Sequence, residues 1–497
     1  MFHLFHLSTD KPTGLQQQLR EQIAQVILNG NIPLDSPLPS SRKLAKQLNI
    51  ARNTVVLAYE HLLDDGYLVA RERSGYYVNP DILARKVEPV KAPVESSFDG
   101  TPDWSSRLVV EPSEQPKMSK PRDWQKYQYP FIYGQFDPVL FPTANWRECC
   151  RDAVSIPAIR DWASDRFDND DPLLMEQIRT RLLPRRGVWA SPEQILVTVG
   201  AQHALYMLAR LLLRPDSLMG IEDPGYMDIR NIAMLNPSRV QPLAVDAQGL
   251  VLSDQLNACD LVYTTPSHQC PTTVTMPLER RYELLRRANE HNFLIIEDDY
   301  ESETNFKANP IPALKSLDKN DRVLYVGSLS KTLAPGLRVG YLVGPEPLIR
   351  EARALRRLMV RHPAANNQRS VALFLERGYH DALIMSLMRA YQDRHQQMGD
   401  ALREYLPDSS REPSFGGSCY WVKGPQGLDA RELQKQAAKH GILIEPGDIH
   451  FYAEQPPLNY FRLGYSSIAA EHIRPGIKLL AGLIEQLSGG ATEPRLH

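Results

Sequence analysis

From about residue 126 onward, short apolar runs alternate with longer segments of helical character, and this alternation limits the fold more than any other feature of the chain. The runs lie at 195–199, 218–221, 261–263, 293–296, 323–326 and 339–343. Each is long enough for one strand and too short for a buried helix. Strands separated by helices have both faces covered, so the pattern predicts an α/β domain around a mainly parallel sheet. Further strands and helices from about 395 to 490 predict a smaller C-terminal domain.

The chain has 497 residues, enough for two to four domains. Residues 8–80 read as a separate unit. Leu15, Leu19, Ile23 and Ile27 recur at helical spacing, and Asn29-Gly30 stops that helix. Ser40 is an N-cap for a short helix carrying Leu44 and Leu48. After a tight turn at Asn49-Ile50, another helix carries Val55, Tyr59, Leu62 and Leu63 and stops at Asp65-Gly66. Two β-prone runs then flank Arg73-Ser74-Gly75, a hairpin signal. Helix, helix, turn, helix and hairpin make a winged helix-turn-helix. Residues 81–125 are proline-rich, with little periodicity, and predict a linker. The α/β part is placed at 126–490.

Net charge is −2, so no global field announces a nucleic-acid partner. The local pattern does. Between Ser36 and Tyr59 there is no Asp or Glu, but Arg42, Lys43, Lys46 and Arg52 are present. A locally positive face suits phosphate contact. Arg52, Asn53 and Thr54 open the third helix, where they can reach base edges in a major groove. Ser40, Ser41 and Arg42 suit phosphate, and Gly75 suits the tip of a wing. The five cysteines follow no CxxC spacing, which argues against a disulfide framework or a metal site. No apolar run is long enough for a bilayer, and no signal peptide is expected, so the expected place is the cytoplasm.

A second group of motifs carries chemistry. Ser328-Leu329-Ser330-Lys331 ends a strand, and a Gly/Pro loop with Arg338 follows. A lysine so placed suits Schiff-base formation with pyridoxal 5′-phosphate (PLP), with Ser328, Ser330 and Arg338 on its phosphate. In Glu297-Asp298-Asp299-Tyr300, Asp298 is the acid expected to keep a pyridine nitrogen protonated, and Tyr300 the partner of the ring hydroxyl. Gly200, Ala201 and Gln202 pass from strand to helix and offer an anion site. Tyr226, in Asp223-Pro224-Gly225-Tyr226, offers a ring to stack. Arg462 can clamp a carboxylate in bidentate fashion.

The N-terminal segment, through LPSSRKLA, ARNTVVLAYEHL and DGYLVARERSGYYV, resembles the GntR family of bacterial regulators. Ala51 stands where that family often has a capping serine. The later motifs, in their order, resemble fold-type I aminotransferases. With the winged helix in front, and with Thr265-Pro266-Ser267-His268-Gln269 and EDDY, the chain is similar to the MocR/GabR regulators.

The resemblance implies a PLP-dependent transcription regulator that senses an amino compound through an external aldimine and alters promoter binding. The alternative is a working aminotransferase with a DNA-binding appendage. It also implies a homodimer on two half-sites of double-stranded DNA. Carried over, Lys331 is the Schiff-base lysine, Asp298 and Tyr300 are ring partners, Tyr226 the stacking ring and Arg462 the effector clamp. His268 is placed near the ring. Tyr133 and Gly134 either line the site mouth or belong to a docking strand. Two departures stand out. Pro271-Thr272-Thr273 lacks the usual loop glycine, and Asp228 stands where some members have arginine, which favours an effector amino group there.

Overall fold

Leu19, Ile23, Val26 and Ile27 fall on one face of the helix Leu15–Leu28 and are buried. They meet Leu44 and Ala45 of the helix Ser41–Leu48, and Val55, Ala58, Tyr59 and Leu62 of the helix Arg52–Asp64. The Ser40 hydroxyl accepts a hydrogen bond from the Lys43 amide, as a capping serine should. Ala51 offers the third helix no such side-chain bond. The turn between these helices is made by Asn49 in the left-handed region, at φ 52°. The Tyr59 hydroxyl donates to the Pro39 carbonyl at 2.9 Å, and its ring meets Tyr76 edge-on. The strands Leu68–Arg71 and Gly75–Val78 pair antiparallel to form the wing.

The computed structural model describes residues 5–8, 10, 12–72, 74–83, 102–236, 238–306, 311–407, 409 and 416–489. Arg73 of the expected wing, residues 84–101 of the expected linker and residue 490 lie outside the described residues. The chain forms two units, Met1–Ser106 and Arg107–His497. Residues 107–125, read from the sequence as linker, therefore group with the second unit. Hydrogen bonds explain why: the Gln115 side chain donates to the Asn231 carbonyl, and the Asn231 side chain donates to the Pro116 carbonyl.

The second unit is built on an eight-stranded sheet. From one edge its strands are Ile195–Thr198, Gly340–Val343, Val323–Ser328, Leu294–Asp299, Leu261–Thr264, Leu218–Asp223, Arg239–Asp246 and Gly249–Leu250. The central strands run parallel, and Gly340–Val343 pairs antiparallel with both neighbours. The predicted runs all became strands. Arg239–Asp246 was missed because Pro242 and alternating polar residues mask it; it lies next to the edge, where proline is tolerated. The smaller sheet holds Cys419–Lys423, Tyr460–Gly464 and Glu445–Pro446. Its register sets Glu445 directly opposite Arg462. Tyr129–Pro130 pairs with Ile442–Leu443, so the start of this unit is anchored beside the small sheet.

The missing loop glycine has a structural cost. Thr273 is buried and sits at φ 65°, a conformation that a β-branched residue adopts only under strain. Its amide still donates to the Gln269 carbonyl at 2.7 Å, so the loop closes as it would with glycine. Left-handed backbone costs about 1–2 kcal/mol for a side-chain-bearing residue, partly offset by glycine's extra chain entropy of about 0.5–1 kcal/mol. Thr273→Gly is therefore expected to stabilise the second unit by about 0.5–1 kcal/mol. Urea unfolding midpoints of the two proteins check it.

Among the described residues no helix is long and apolar enough to cross a membrane, and no group of three or more His, Cys, Asp or Glu could hold a metal ion.

Candidate functional site

The C-terminal ends of the parallel strands open into a cavity of about 280 Å³. Strand alternation decides which acid enters it. Along Leu294–Asp299 successive side chains point to opposite faces. Glu297 turns to the amides of Leu314 and Lys315, at 2.7 and 2.8 Å. Asp299 pairs with the Arg186 guanidinium at 2.7 Å and accepts the Tyr325 hydroxyl at the same distance. Asp298, between them, faces the cavity. Its Oδ2 accepts the Tyr263 hydroxyl at 2.9 Å, and its Oδ1 is buried without a protein partner. Burial pushes this carboxyl up to about 7, against the Tyr263 hydrogen bond.

Lys331 follows the strand Val323–Ser328 and reaches into the same cavity. Its Nζ lies over the Tyr133 ring, 4.1 Å from the centroid. Desolvation pulls the ammonium down to about 8, although Glu301 opposes it. Gly134 is at φ 69°, and a Cβ there would stand 2.5 Å from Lys331 Nζ, so only glycine leaves the amine room.

One end of the cavity is an anion cradle. The helix Gly200–Leu212 points its N-terminus there, with Ala201 and Gln202 on the wall. Ser328, Ser330 and Arg338 complete it. The Ser330 hydroxyl is buried without a protein partner. Gly200 sits at φ 74°, a backbone conformation that residues with a side chain rarely adopt, and a Cβ there would displace the Arg338 guanidinium, 2.8 Å away.

The other end is lined by Tyr133, Gly134 and Arg462. Arg462 lies 4.1 Å above the Tyr133 ring and is bonded through Nε and Nη2 to Glu445 Oε2, both at 2.8 Å. Tyr226 and Tyr300 also line the cavity. The Tyr226 hydroxyl donates to Asp228 Oδ2 at 3.0 Å, and the Gln202 amide donates to the same oxygen at 3.0 Å. That oxygen fixes the Tyr226 ring, which weakens the expectation that Asp228 is reserved for an effector amino group.

His268 departs from its expected place. It does not line this cavity but stands behind Tyr300, beside a second, smaller cavity, with Nε2 3.4 Å from Glu301. Burial holds its imidazole below the ordinary range. Tyr263, Glu445 and Lys120 belong to the site and were not read from the sequence. No motif marks them; Tyr263 sits in an apolar run, and only a cross-strand register exposes Glu445.

In the first unit, Arg42, Arg52, Asn53 and Gly75 are exposed, and Ser41 and Thr54 are partly so. Arg52 Nε donates to Ser41 Oγ at 3.4 Å, which joins the second helix to the opening of the third. Ser40 is exposed with its oxygen already used as a cap, so it retains only its hydroxyl proton for an outside acceptor.

The comparisons agree with this division. Residues 15–78 match the gntR family of bacterial regulatory proteins, and residues 168–477 match the class I and II aminotransferases. The HTH-type transcriptional regulator TauR of Rhodobacter capsulatus is 42% identical over 96% of this chain and 98% of that protein. The probable rhizopine catabolism regulatory protein MocR of Rhizobium meliloti is 30% identical over 98% of this chain and 97% of that one.

The chain belongs to the MocR-type regulators.

Among solved structures, an archaeal alanine:glyoxylate aminotransferase matches this regulator with a TM-score of 0.71 and 26% identity, over 77% of this chain and 99% of its own. The α-aminoadipate aminotransferase LysN of Thermus thermophilus, complexed with N-(5′-phosphopyridoxyl)-L-leucine, matches with 0.69 and 26%, over 78% and 100%. The residues of this MocR-type chain fit a phosphopyridoxyl group. The unpartnered Asp298 Oδ1 suits a ring N–H, the unpartnered Ser330 hydroxyl and helix N-terminus suit a phosphate, and Lys331 lines the same cavity.

Proposed function

We infer that this protein is a PLP-dependent DNA-binding transcription regulator that senses a small amino compound and changes its hold on promoter DNA. The observation that carries the reading is one cavity holding Lys331, Asp298 and an anion cradle, in a chain that also bears a GntR winged helix. When bound, PLP supplies an aldehyde that captures amines and a ring that withdraws electrons.

The chain's own residues do the rest. Gly200, Ala201, Gln202, Ser328, Ser330 and Arg338 bind the phosphate. Asp298 Oδ1 accepts the ring N–H and keeps that proton in place. Tyr226 packs against the ring and Tyr300 donates to its hydroxyl. Lys331 would supply the amine that holds the cofactor, and Arg462, with Tyr133 and Gly134, would hold the acid end of the amino compound. Ser40, Ser41, Arg42, Arg52, Asn53, Thr54 and Gly75 contact DNA, two copies meeting two half-sites as a homodimer in the cytoplasm. A coupling of about 1–3 kcal/mol between the two sites suffices for the switch.

The test uses the full-length protein, candidate amino donors and keto acids, and genomic fragments selected by the protein itself. A spectral shift with altered DNA mobility, and at most one half-turn, supports the sensor. Sustained turnover with unchanged DNA binding replaces it with an aminotransferase.

Loading depends on the neutral lysine. Since Lys331 is depressed to about 8, its free amine accumulates as pH rises to that value and not near 10. The rate at which added PLP develops its bound absorbance is expected to climb about tenfold per pH unit below 8 and to level off above it. Stopped-flow traces across pH 6–10 check this.

A further inference from the structure

At the end of the cavity lined by Tyr133, two cations, Arg462 and Lys120, share a single buried carboxylate, Glu445, while Glu301 accepts the Tyr133 hydroxyl at 3.2 Å. Glu445 is buried, with its side chain 1% exposed, and both of its oxygens are occupied. Oε2 takes Arg462 through Nε and Nη2, at 2.8 Å each. Oε1 takes Lys120 Nζ at 2.9 Å and the Tyr133 amide at 3.2 Å. Lys120 also donates to the Tyr133 carbonyl. Arg462 and Lys120 thus share one carboxylate, and Lys120 is the one of the two whose side chain keeps part of its surface, 23%, open on the cavity wall. His450, the remaining titratable wall group there, is held neutral: burial pulls it down to about 3.

Lys120 comes from an unexpected element. It lies in the segment that the sequence presents as linker to the DNA-binding domain. That segment is tied to the helix Met227–Met234 through Gln115, Pro116 and Asn231, and it places Met118 and Lys120 on the cavity wall. The same helix carries Asp228, which fixes Tyr226. Residues 115–120 thus form a strap over the effector end, fixed at one side and held at the other only by a lysine. A lysine ammonium is a mobile point charge on a flexible stem, suited to follow an anion.

We propose that Lys120 is the second cation for an acid group on the effector, a carboxylate or a sulfonate, and that this acid group holds the 115–120 strap onto the ligand. The effector class is thereby an amine bearing an acid group, with the acid end read jointly by Arg462 and by the linker. This rests on the assignment of the cavity as the PLP and effector site. It couples the ligand to the chain that leads to the DNA-binding domain, because the residue whose ammonium pairs with the acid lies on that chain.

The experiment uses full-length, PLP-loaded wild type, Lys120→Met and Lys120→Arg. The probes are 3-aminopropanoate, 4-aminobutanoate and 3-aminopropanesulfonate, each against the matched propylamine or butylamine. The readout is the ratio of acid to amine affinity from the cofactor spectrum, with hydrogen exchange of the 112–124 backbone. Wild type is expected to prefer the acids, and the acids alone to slow exchange in the strap. In Lys120→Met the preference falls by tenfold or more and the protection is lost; Lys120→Arg keeps both. Whichever acid shows the larger ratio separates carboxylate from sulfonate. A merely structural lysine moves acid and amine affinity together and leaves the ratio unchanged, which overturns the proposal. So do acids that do no better than matched amines in wild type, including a series in which neither perturbs the spectrum, and a fallen ratio with unaltered strap exchange. If no bound-cofactor band forms at all, the PLP assignment itself has failed, and the missing band says so before any ratio is measured.

Discussion

Replacing Lys331 with alanine is expected to abolish the spectral response to amino compounds and the ligand-dependent change in DNA binding together. Lys331 Nζ lies over the Tyr133 ring in the cavity that also holds Asp298 and the anion cradle. Lys120, the other lysine of the cavity wall, is committed to Glu445 and the Tyr133 carbonyl at the far end and cannot replace it. Nothing in the fold requires the lysine side chain, since its ammonium lies in the cavity and not in the core, so the variant should fold. Couplings of this kind change affinity by about 5–150-fold, and in Lys331→Ala the ligand effect is expected to fall to onefold. Absorbance spectra and mobility shifts with and without ligand check it. A variant that still regulates its DNA in response to ligand would remove the cofactor from the mechanism.

The sequence was informative where local chemistry and local structure coincide. The apolar runs became strands because a central parallel strand is buried on both faces and tolerates little else. Ser328, Ser330 and Lys331 could be placed because they follow such a strand immediately. The motif's chemistry asks for a carboxylate without saying which of Glu297, Asp298 and Asp299 it is; the family resemblance chose Asp298, and strand alternation sends its neighbours to Arg186, Tyr325 and the Leu314 and Lys315 amides.

Other parts of the site depend on long-range register. Glu445 is polar and isolated in an apolar segment, and only its pairing opposite Arg462 sets it behind the cavity wall. Lys120 sits in a proline-rich stretch with no period, so nothing local distinguishes it from its solvated neighbours. His268 shows the opposite error. It follows a motif that reaches the ring, but its own side chain turns to Glu301 behind Tyr300. Residues 107–125 of the expected linker group with the second unit, and proline content reports chain stiffness and not whether a segment finds a surface to dock on.

Arg186 supports the site from behind, and removing it is expected to cost the second unit about 3–5 kcal/mol, the usual result of breaking one partner of a buried ion pair. Its Nε donates to Asp299 Oδ2 at 2.7 Å, Nη1 to the Ile311 carbonyl at 3.1 Å and Nη2 to Ser267 Oγ at 2.8 Å. In Arg186→Met, Asp299 keeps the hydroxyls of Tyr325 and Ser267 but no cation, in a setting where burial drives its carboxyl upward and Arg186 now holds it down. The pH dependence follows with a definite sign. In wild type the depressed Asp299 contributes stability above its unfolded value, and that contribution is lost as pH falls through the folded one. In the variant the folded value lies above the unfolded one, so the penalty is present at neutral pH and is relieved on acidification. The gap in unfolding free energy between the two proteins is therefore expected to be widest near neutrality and to narrow as pH falls below about 4. Adding Asp299→Asn to Arg186→Met removes the unpaired charge and should recover part of the loss at neutral pH. Urea unfolding followed by the cofactor's absorbance measures both, and equal gaps at every pH would show that Arg186 acts by packing and not by charge.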